Sequence, residues 1–155
     1  MTAIKVHVKS VKVRLYSTIE QQTHLAQAFG WARWVWNQSL ATLSQTYNET
    51  GKGLSAYDMK KQIPLWKLEH PWLKECYSQR LQSSVLNLSR AFINFFDGRA
   101  QYPKFKTRHG RQSLQYPANV KLLSAAEIKF PGKLGVVKAK VHRDVVGQLK
   151  TVTLI

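Results

Sequence analysis

Arg99, Lys104, Lys106, Arg108 and Arg111 place five fixed positive charges within thirteen residues, with Tyr102 and Phe105 between them. Lysine and arginine neutralise phosphates and release their counterions, and aromatic rings stack on bases, so this stretch has the residue types of a nucleic-acid contact. A solvated loop whose aromatics pack downward uses the same residues more plainly, and the two rings suit anchoring better than stacking. A second set recurs at helical spacing: Gln79, Gln82, Ser83, Asn87, Arg90 and Asn94. Asn, Gln and Arg read base edges bidentately in a major groove, although an ordinary polar helix face has the same composition. Arg33 and Asn37 lie one helical turn apart. That spacing serves a phosphate or a base, and equally a pair facing solvent. Trp31, Trp34 and Trp36 crowd the same stretch, and packing accounts for them better than stacking on nucleotides.

Catalytic constellations are missing from the sequence. The acids Glu20, Glu49, Asp58, Glu69, Glu75, Asp97, Glu127 and Asp144 show no paired-carboxylate motif for metal-assisted chemistry. The five histidines are scattered without ligand spacing, and neither a nucleophile elbow nor a P-loop occurs. The single cysteine, Cys76, cannot form an intramolecular disulfide and reads as a small buried residue; a structural zinc normally needs two or more cysteines. No cofactor or metal is expected, and an enzyme with its own active site is the weaker reading.

The charge balance shows where these groups belong. The 155 residues hold 24 Lys and Arg against 8 Asp and Glu, a formal net charge of +16. Such an excess of base most often meets a polyanion. Residues 1–16 carry +4, residues 17–98 only +2, and residues 99–155 carry +10. No stretch approaches the ~20 apolar residues of a membrane span, and the start of the chain lacks the apolar core of an export signal. The bases fall on strands and loops rather than on one amphipathic helix, which disfavours a membrane surface as partner. The expected setting is therefore the cytoplasm.

The hydrophobic period changes at the same boundaries. Ile4, Val6 and Val8, then Val11, Val13 and Leu15, alternate with basic residues, which predicts a half-buried strand with a bulge near Lys9–Ser10. Ser17 with Glu20, or Thr18 with Gln21, has capping-box spacing. Leu25, Phe29, Ala32, Trp36, Leu40, Leu43 and Tyr47 then trace one helix face, with Gly51 and Gly53 beyond its end. A second helix is expected from Ser55 through Ile63, interrupted by Pro64 and continued in a broken segment around Pro71. A third runs from about Ser78 to Asp97, with the stripe Leu81, Val85, Leu88, Phe92 and Phe95 and a stop at Gly98. Short strands follow at Leu114–Tyr116, Val120–Leu122, Ile128–Phe130, Val136–Val141 and Leu149–Ile155. The expected class is α+β: a discontinuous β-barrel built from residues 1–16 and 99–155, with a helical unit, 17–98, inserted between them.

Read in order, the chain resembles the N-terminal part of TnpB, the OrfB-type protein of insertion sequences, which belongs with the RNA-guided DNA nucleases related to type V CRISPR effectors. The residues that carry the resemblance are Val13–Thr18, Phe29–Asn37, Pro71–Glu75, Leu81–Gln82, Arg90–Phe96, Tyr102–Lys106 and Lys133–Gly135. The resemblance implies a wedge-type, OB-like β-barrel interrupted by a helical recognition lobe whose first helices carry the older label helix-turn-helix. It implies guide RNA and double-stranded DNA as partners. It also implies that Gln79, Gln82 and Ser83 approach a short target-adjacent DNA motif, with Tyr116 and Asn119 near a barrel loop that does the same. Family members often have an aromatic where this chain has Ala56, beside Tyr57. The family's RuvC-like nuclease domain and zinc ribbon would begin after Thr151–Ile155, so the resemblance assigns no catalytic role to any residue here.

Three functions follow as expectations. The first is a nucleic-acid-binding part of a TnpB-like transposon protein, without nuclease activity by itself, working at the nucleoid of a prokaryotic cell. Its interface would use Arg33, Asn37, Gln79, Gln82, Ser83, Asn87, Arg90, Arg99, Lys104, Lys106, Arg108, Arg111, Tyr116 and Asn119. The second is a stand-alone helix-turn-helix regulator of a transposon. The third is a nuclease that takes its carboxylates from a separate RuvC-bearing chain.

Overall fold

The computed structural model describes residues 9–76, 78–145 and 147–155. Its spine is α1, Ile19–Thr50, a single helix of 32 residues and about 48 Å. Of the two possible capping boxes, the structure uses Thr18 with Gln21. The Thr18 Oγ1 accepts the Gln21 N–H at 3.2 Å, and the Gln21 Oε1 accepts the Thr18 N–H at 3.0 Å. The same Gln21 amide donates to the carbonyls of Leu134 and Val136, at 3.3 and 2.7 Å, tying the helix start to the sheet. At the other end Gly51, at φ 70°, takes the left-handed conformation that closes a helix and sends its N–H to the Tyr47 carbonyl.

Two apolar cores form along this spine. Val35, Leu40 and Leu43 join Met59, Ile63, Trp66, Leu73, Leu81, Val85 and Leu88 in a helical core. Ala28 instead joins Leu114, Tyr116, Ile128, Phe130, Val137 and Leu154 in a core beneath the strands, and Trp31 borders both. Serving both cores widens the buried face of α1: Leu40 and Leu43 of the expected stripe are buried, and Ala28, Val35 and Ser39 beside it are buried with them. Trp36 is only half-buried, and Tyr47 is exposed.

The remaining helices are α2 (Ala56–Lys60), α3 (Gln62–Glu69), a 3₁₀ turn at Pro71–Glu75, and α4 (Ser78–Phe96). Ser55 caps α2 as its position suggests. The interruption expected at Pro64 falls at Lys61 instead. Pro64 sits in the first turn of α3, where its missing N–H has little to lose and its fixed φ suits the helix. Gly98, at φ 74°, ends α4, and the N–H groups of Arg99 and Ala100 both bond to the Asn94 carbonyl, which sets the direction of the basic loop.

The strands are β1 (Arg14–Tyr16), β2 (Leu114–Tyr116), β3 (Lys121–Ser124), β4 (Glu127–Phe130), β5 (Gly135–Lys140) and β6 (Val152–Leu154). They form an antiparallel four-stranded sheet in the order β1-β5-β4-β3 and a two-stranded pair, β2-β6. Leu15 lies opposite Ala139, so the early strand pairs with a late one across the helical unit, while Gln115 lies opposite Thr153 within the later segment. The class is α+β. The expected strand at Ile4–Val8 lies outside the described residues. The bulge expected near Lys9–Ser10 is not formed: residues 9–13 are in no strand, and a register shift occurs between Leu122 and Ser124 instead. Alternation alone shows that one side of a segment is apolar. It does not show where the hydrogen-bonded ladder begins.

Candidate nucleic-acid interface

The basic loop, residues 99–111, is held by its backbone and its aromatics while most of its charges face outward. The Trp36 Nε1 donates to the Lys104 carbonyl at 3.0 Å. Asn37 makes a two-way bond with one residue: its Nδ2 donates to the Lys106 carbonyl at 2.9 Å, and its Oδ1 accepts the Lys106 N–H at 2.7 Å. Tyr102 shares a 2.8 Å hydrogen bond with the Ser44 hydroxyl and sets its ring edge-on to Phe92 and Phe95, each at 5.3 Å. Pro103 is buried beside it. The Gln112 Nε2 donates to the carbonyls of Thr107, Arg108 and Gly110, closing the loop tip. Tyr102 thus anchors the loop as expected, whereas the Phe105 ring stays 59% exposed.

The loop charges are largely uncompensated. Among the described residues only two ion pairs form, Lys61–Asp58 and Arg99–Asp97. Arg99 is thus bridged at 2.7 Å, while Lys104, Lys106, Arg108 and Arg111 face no carboxylate at that range. The Lys106 ammonium lies 4.2 Å from the centre of the Trp36 ring. Burial, and after it the Arg111 charge, hold the Lys106 pKa below the ordinary lysine value. The second cause is like-charge repulsion, which an approaching anion relieves.

The polar face of α4 divides. Gln82 and Arg90 are exposed, and Gln79 is half-buried. The Asn87 Nδ2 donates to the Gln115 Oε1 at 2.9 Å, linking α4 to β2. Ser83 is buried, and so is Tyr116, whose ring packs 5.2 Å from that of Phe130 in the sheet core. These two expected contact residues therefore lie in the interior rather than on the surface. Asn119 is exposed and holds φ 66°, a conformation asparagine tolerates better than most residues. Arg33 directs Nη1 toward the Gln112 Oε1 at 3.4 Å. The structure therefore gathers Arg33, Asn37, Lys104, Lys106 and Arg111 where the loop crosses α1, with Asn87 across the cleft beneath it. Gln82, Arg90 and Asn119 are exposed and do not line that cleft.

Sequence reasoning passed over Arg80, Gln112 and Gln115, which line the cleft under the loop. Two signals were available: an arginine immediately before the apolar position Leu81, and glutamines flanking Ser113–Leu114. The tryptophans pack, as expected. The Trp34 ring meets Trp66, His70 and Trp72 at centroid distances of 5.8, 4.8 and 5.3 Å. Among the described residues no group of three or more His, Cys, Asp or Glu stands together to hold a metal ion, and no helix is long and apolar enough to cross a membrane.

A helix-turn-helix domain family, that of OrfB proteins from IS605-type insertion sequences, matches residues 8–52. The chain is 33% identical over 148 residues to a putative RNA-guided DNA endonuclease, InsQ, of Escherichia coli (strain K12), an alignment covering 94% of this chain and 37% of that protein. It is 32% identical over 111 residues to a putative RNA-guided DNA endonuclease of Streptomyces pristinaespiralis, covering 70% of this chain and 28% of that one. It is also 35% identical over 114 residues to the virulence protein VsdF of Salmonella dublin, covering 66% of this chain and 96% of VsdF. The chain thus spans only about a third of each endonuclease relative. These matches place the chain in the class of transposon-encoded proteins. The chain belongs to the TnpB/OrfB family of insertion-sequence proteins. In this structure the described part of the matched segment forms β1 and one unbroken helix, rather than two helices joined by a turn.

Proposed function

We propose that this chain grips a guide RNA and the double-stranded DNA that the RNA selects, and that residues 1–155 supply binding rather than cleavage. The carrying observation is the loop at 99–111, whose backbone is fixed to α1 while four of its cations face no acid. A preorganised cationic ridge recognises the shape of a nucleic-acid backbone and leaves sequence reading to base pairing. Two relatives bear the name putative RNA-guided DNA endonuclease, which supports the choice of partners. Gln82 on α4 and Asn119 after β2 are exposed amides that this reading assigns to a target-adjacent duplex. The four-stranded sheet and the β2-β6 pair share one core, which supports reading them as the two sides of an OB-like wedge barrel. The carboxylates for hydrolysis would come from a RuvC-like unit, in the same polypeptide or in a separate chain. The setting is the bacterial nucleoid.

Titration with an RNA copied from an insertion-sequence end, against a random RNA of equal length, tests this. Preference for the first across a range of salt supports the proposal, and equal affinity contradicts it. The stand-alone regulator draws support from the helix-turn-helix family name, but the unbroken α1 offers no separate recognition helix within 19–50. Retention of a palindromic duplex without RNA would favour it.

A further inference from the structure

The cleft beneath the basic loop holds a cation with no assigned role. Arg80, in the first turn of α4, is 4% exposed. Its Nη1 donates to the Tyr116 hydroxyl at 3.3 Å, and its guanidinium carbon lies 5.1 Å from the centre of the Tyr116 ring. Its Nε–H has no acceptor among the described residues. Neither ion pair among the described residues involves it. The cleft it lines also takes in Arg33, Lys106 and Arg111, and no carboxylate.

A guanidinium taken out of water loses several kcal/mol of hydration, and a buried cation normally recovers this from a carboxylate with good hydrogen-bond geometry. One long bond to a phenol and one ring face recover only part of it. The site is therefore electrostatically incomplete, and four cations without an acid specify the missing partner as an anion. The cleft has about 30 Å³ of free volume, space on the scale of water molecules. It admits the oxygens of an oxyanion and excludes a base. Arginine is the side chain best matched to phosphate, through paired N–H donors in a fixed plane.

We propose that Arg80 is the floor of a phosphate site, lined also by Arg33 and Arg111, that seats one phosphodiester of the bound nucleic acid. The site deepens, and rests on, the reading of this chain as a nucleic-acid-binding protein. Inorganic phosphate presents the same oxyanion, so the test carries both sources.

The wild-type chain, Arg80→Met and Arg80→Lys are compared by fluorescence anisotropy with a mixed-sequence RNA between about 50 and 200 mM salt, and by thermal unfolding without ligand. Each phosphate contact contributes about 0.7–0.9 to the slope of log affinity against log salt, so over that range the wild type loses about three-fold more affinity than Arg80→Met. Arg80→Lys retains the slope and loses affinity. Unliganded Arg80→Met unfolds at or above the wild-type temperature, because the change removes an unpaired buried charge. An unchanged slope in Arg80→Met while the wild type binds overturns the proposal and leaves nucleic-acid binding intact. Should Arg80→Met not fold, an Arg80→Lys that is destabilised and binds as the wild type does assigns Arg80 a structural role and overturns it equally. If the wild type binds no nucleic acid, the broader reading fails, and with it the nucleic-acid source of the phosphate. Thermal unfolding in inorganic phosphate, against chloride of equal ionic strength, then decides the site alone. A rise in the wild type that Arg80→Met lacks retains an anion site, and no rise removes it.

Discussion

Asn37→Ala separates the loop's shape from its charge. The substitution removes both hydrogen bonds between the Asn37 amide and the Lys106 backbone, at 2.9 and 2.7 Å, and changes no charge. Each such bond contributes about 0.5–1.5 kcal/mol net, and both are solvent-accessible, so the pair holds the loop with about 1–2 kcal/mol. Trp36 and Tyr102 still anchor it. The variant therefore samples unpinned loop conformations, and binding must reorder them. At 1.4 kcal/mol per decade, affinity for RNA falls by about 5- to 30-fold. Once bound, the same cations meet the same phosphates, so the slope of log affinity against log salt stays at the wild-type value. Unfolding free energy falls by at most about 1–2 kcal/mol, because neither core loses an apolar group. Anisotropy titrations at several salt concentrations, with thermal unfolding alongside, read all three quantities. A flattened slope, or unchanged affinity, would refute the reasoning that Asn37 acts by organising the loop.

Lys104→Ala with Lys106→Ala has the opposite signature, lowering affinity for every RNA and flattening the salt slope by up to about 1.8, as the removal of two phosphate contacts requires. Gln82→Ala weakens selectivity among target-adjacent duplexes more than total RNA affinity, read by competition with duplexes that vary at that motif. Leu88→Ala, in the helical core, lowers unfolding free energy by about 2–5 kcal/mol, whereas Tyr47→Ala on exposed α1 surface changes it by less than about 0.5 kcal/mol, both read by urea unfolding. His24 has its pKa lowered by burial first and then by the Arg80 and Lys133 charges. Its contribution to stability is therefore complete above the unfolded value near 6.5 and is lost as pH falls below it, so His24→Gln flattens the decline in melting temperature between about pH 7 and 5.

The elements that announce themselves chemically were legible. Thr18 with Gln21, Ser55, Gly51 and Gly98 mark helix ends by side chains and by a backbone conformation that few other residues supply, and the structure places ends at all of them. Leu114–Tyr116 matches β2 in full. What escaped depends on partners remote in sequence. The buried face of α1 is wider than the expected stripe because two cores share the helix, and periodicity in one segment carries no information about how many surfaces it serves. Pro64 misled because proline breaks a helix interior and favours a first turn, and only the position of Lys61 decides which applies. At the candidate site the clustering of charge was legible, but not the division of labour among the residues. Asn37 and Trp36 present the features of a ligand-binding pair and a core residue, yet they hold the loop backbone. Arg80 was passed over because burial of a cation is a tertiary fact.

The affinity of the wild-type chain for an insertion-sequence-end RNA, relative to a random RNA of the same length at matched salt, tests the central claim most directly. Tighter binding to the insertion-sequence RNA, persisting as salt rises, is the predicted result. Equal affinities that fall together with salt would contradict it, leaving a basic surface that binds any polyanion.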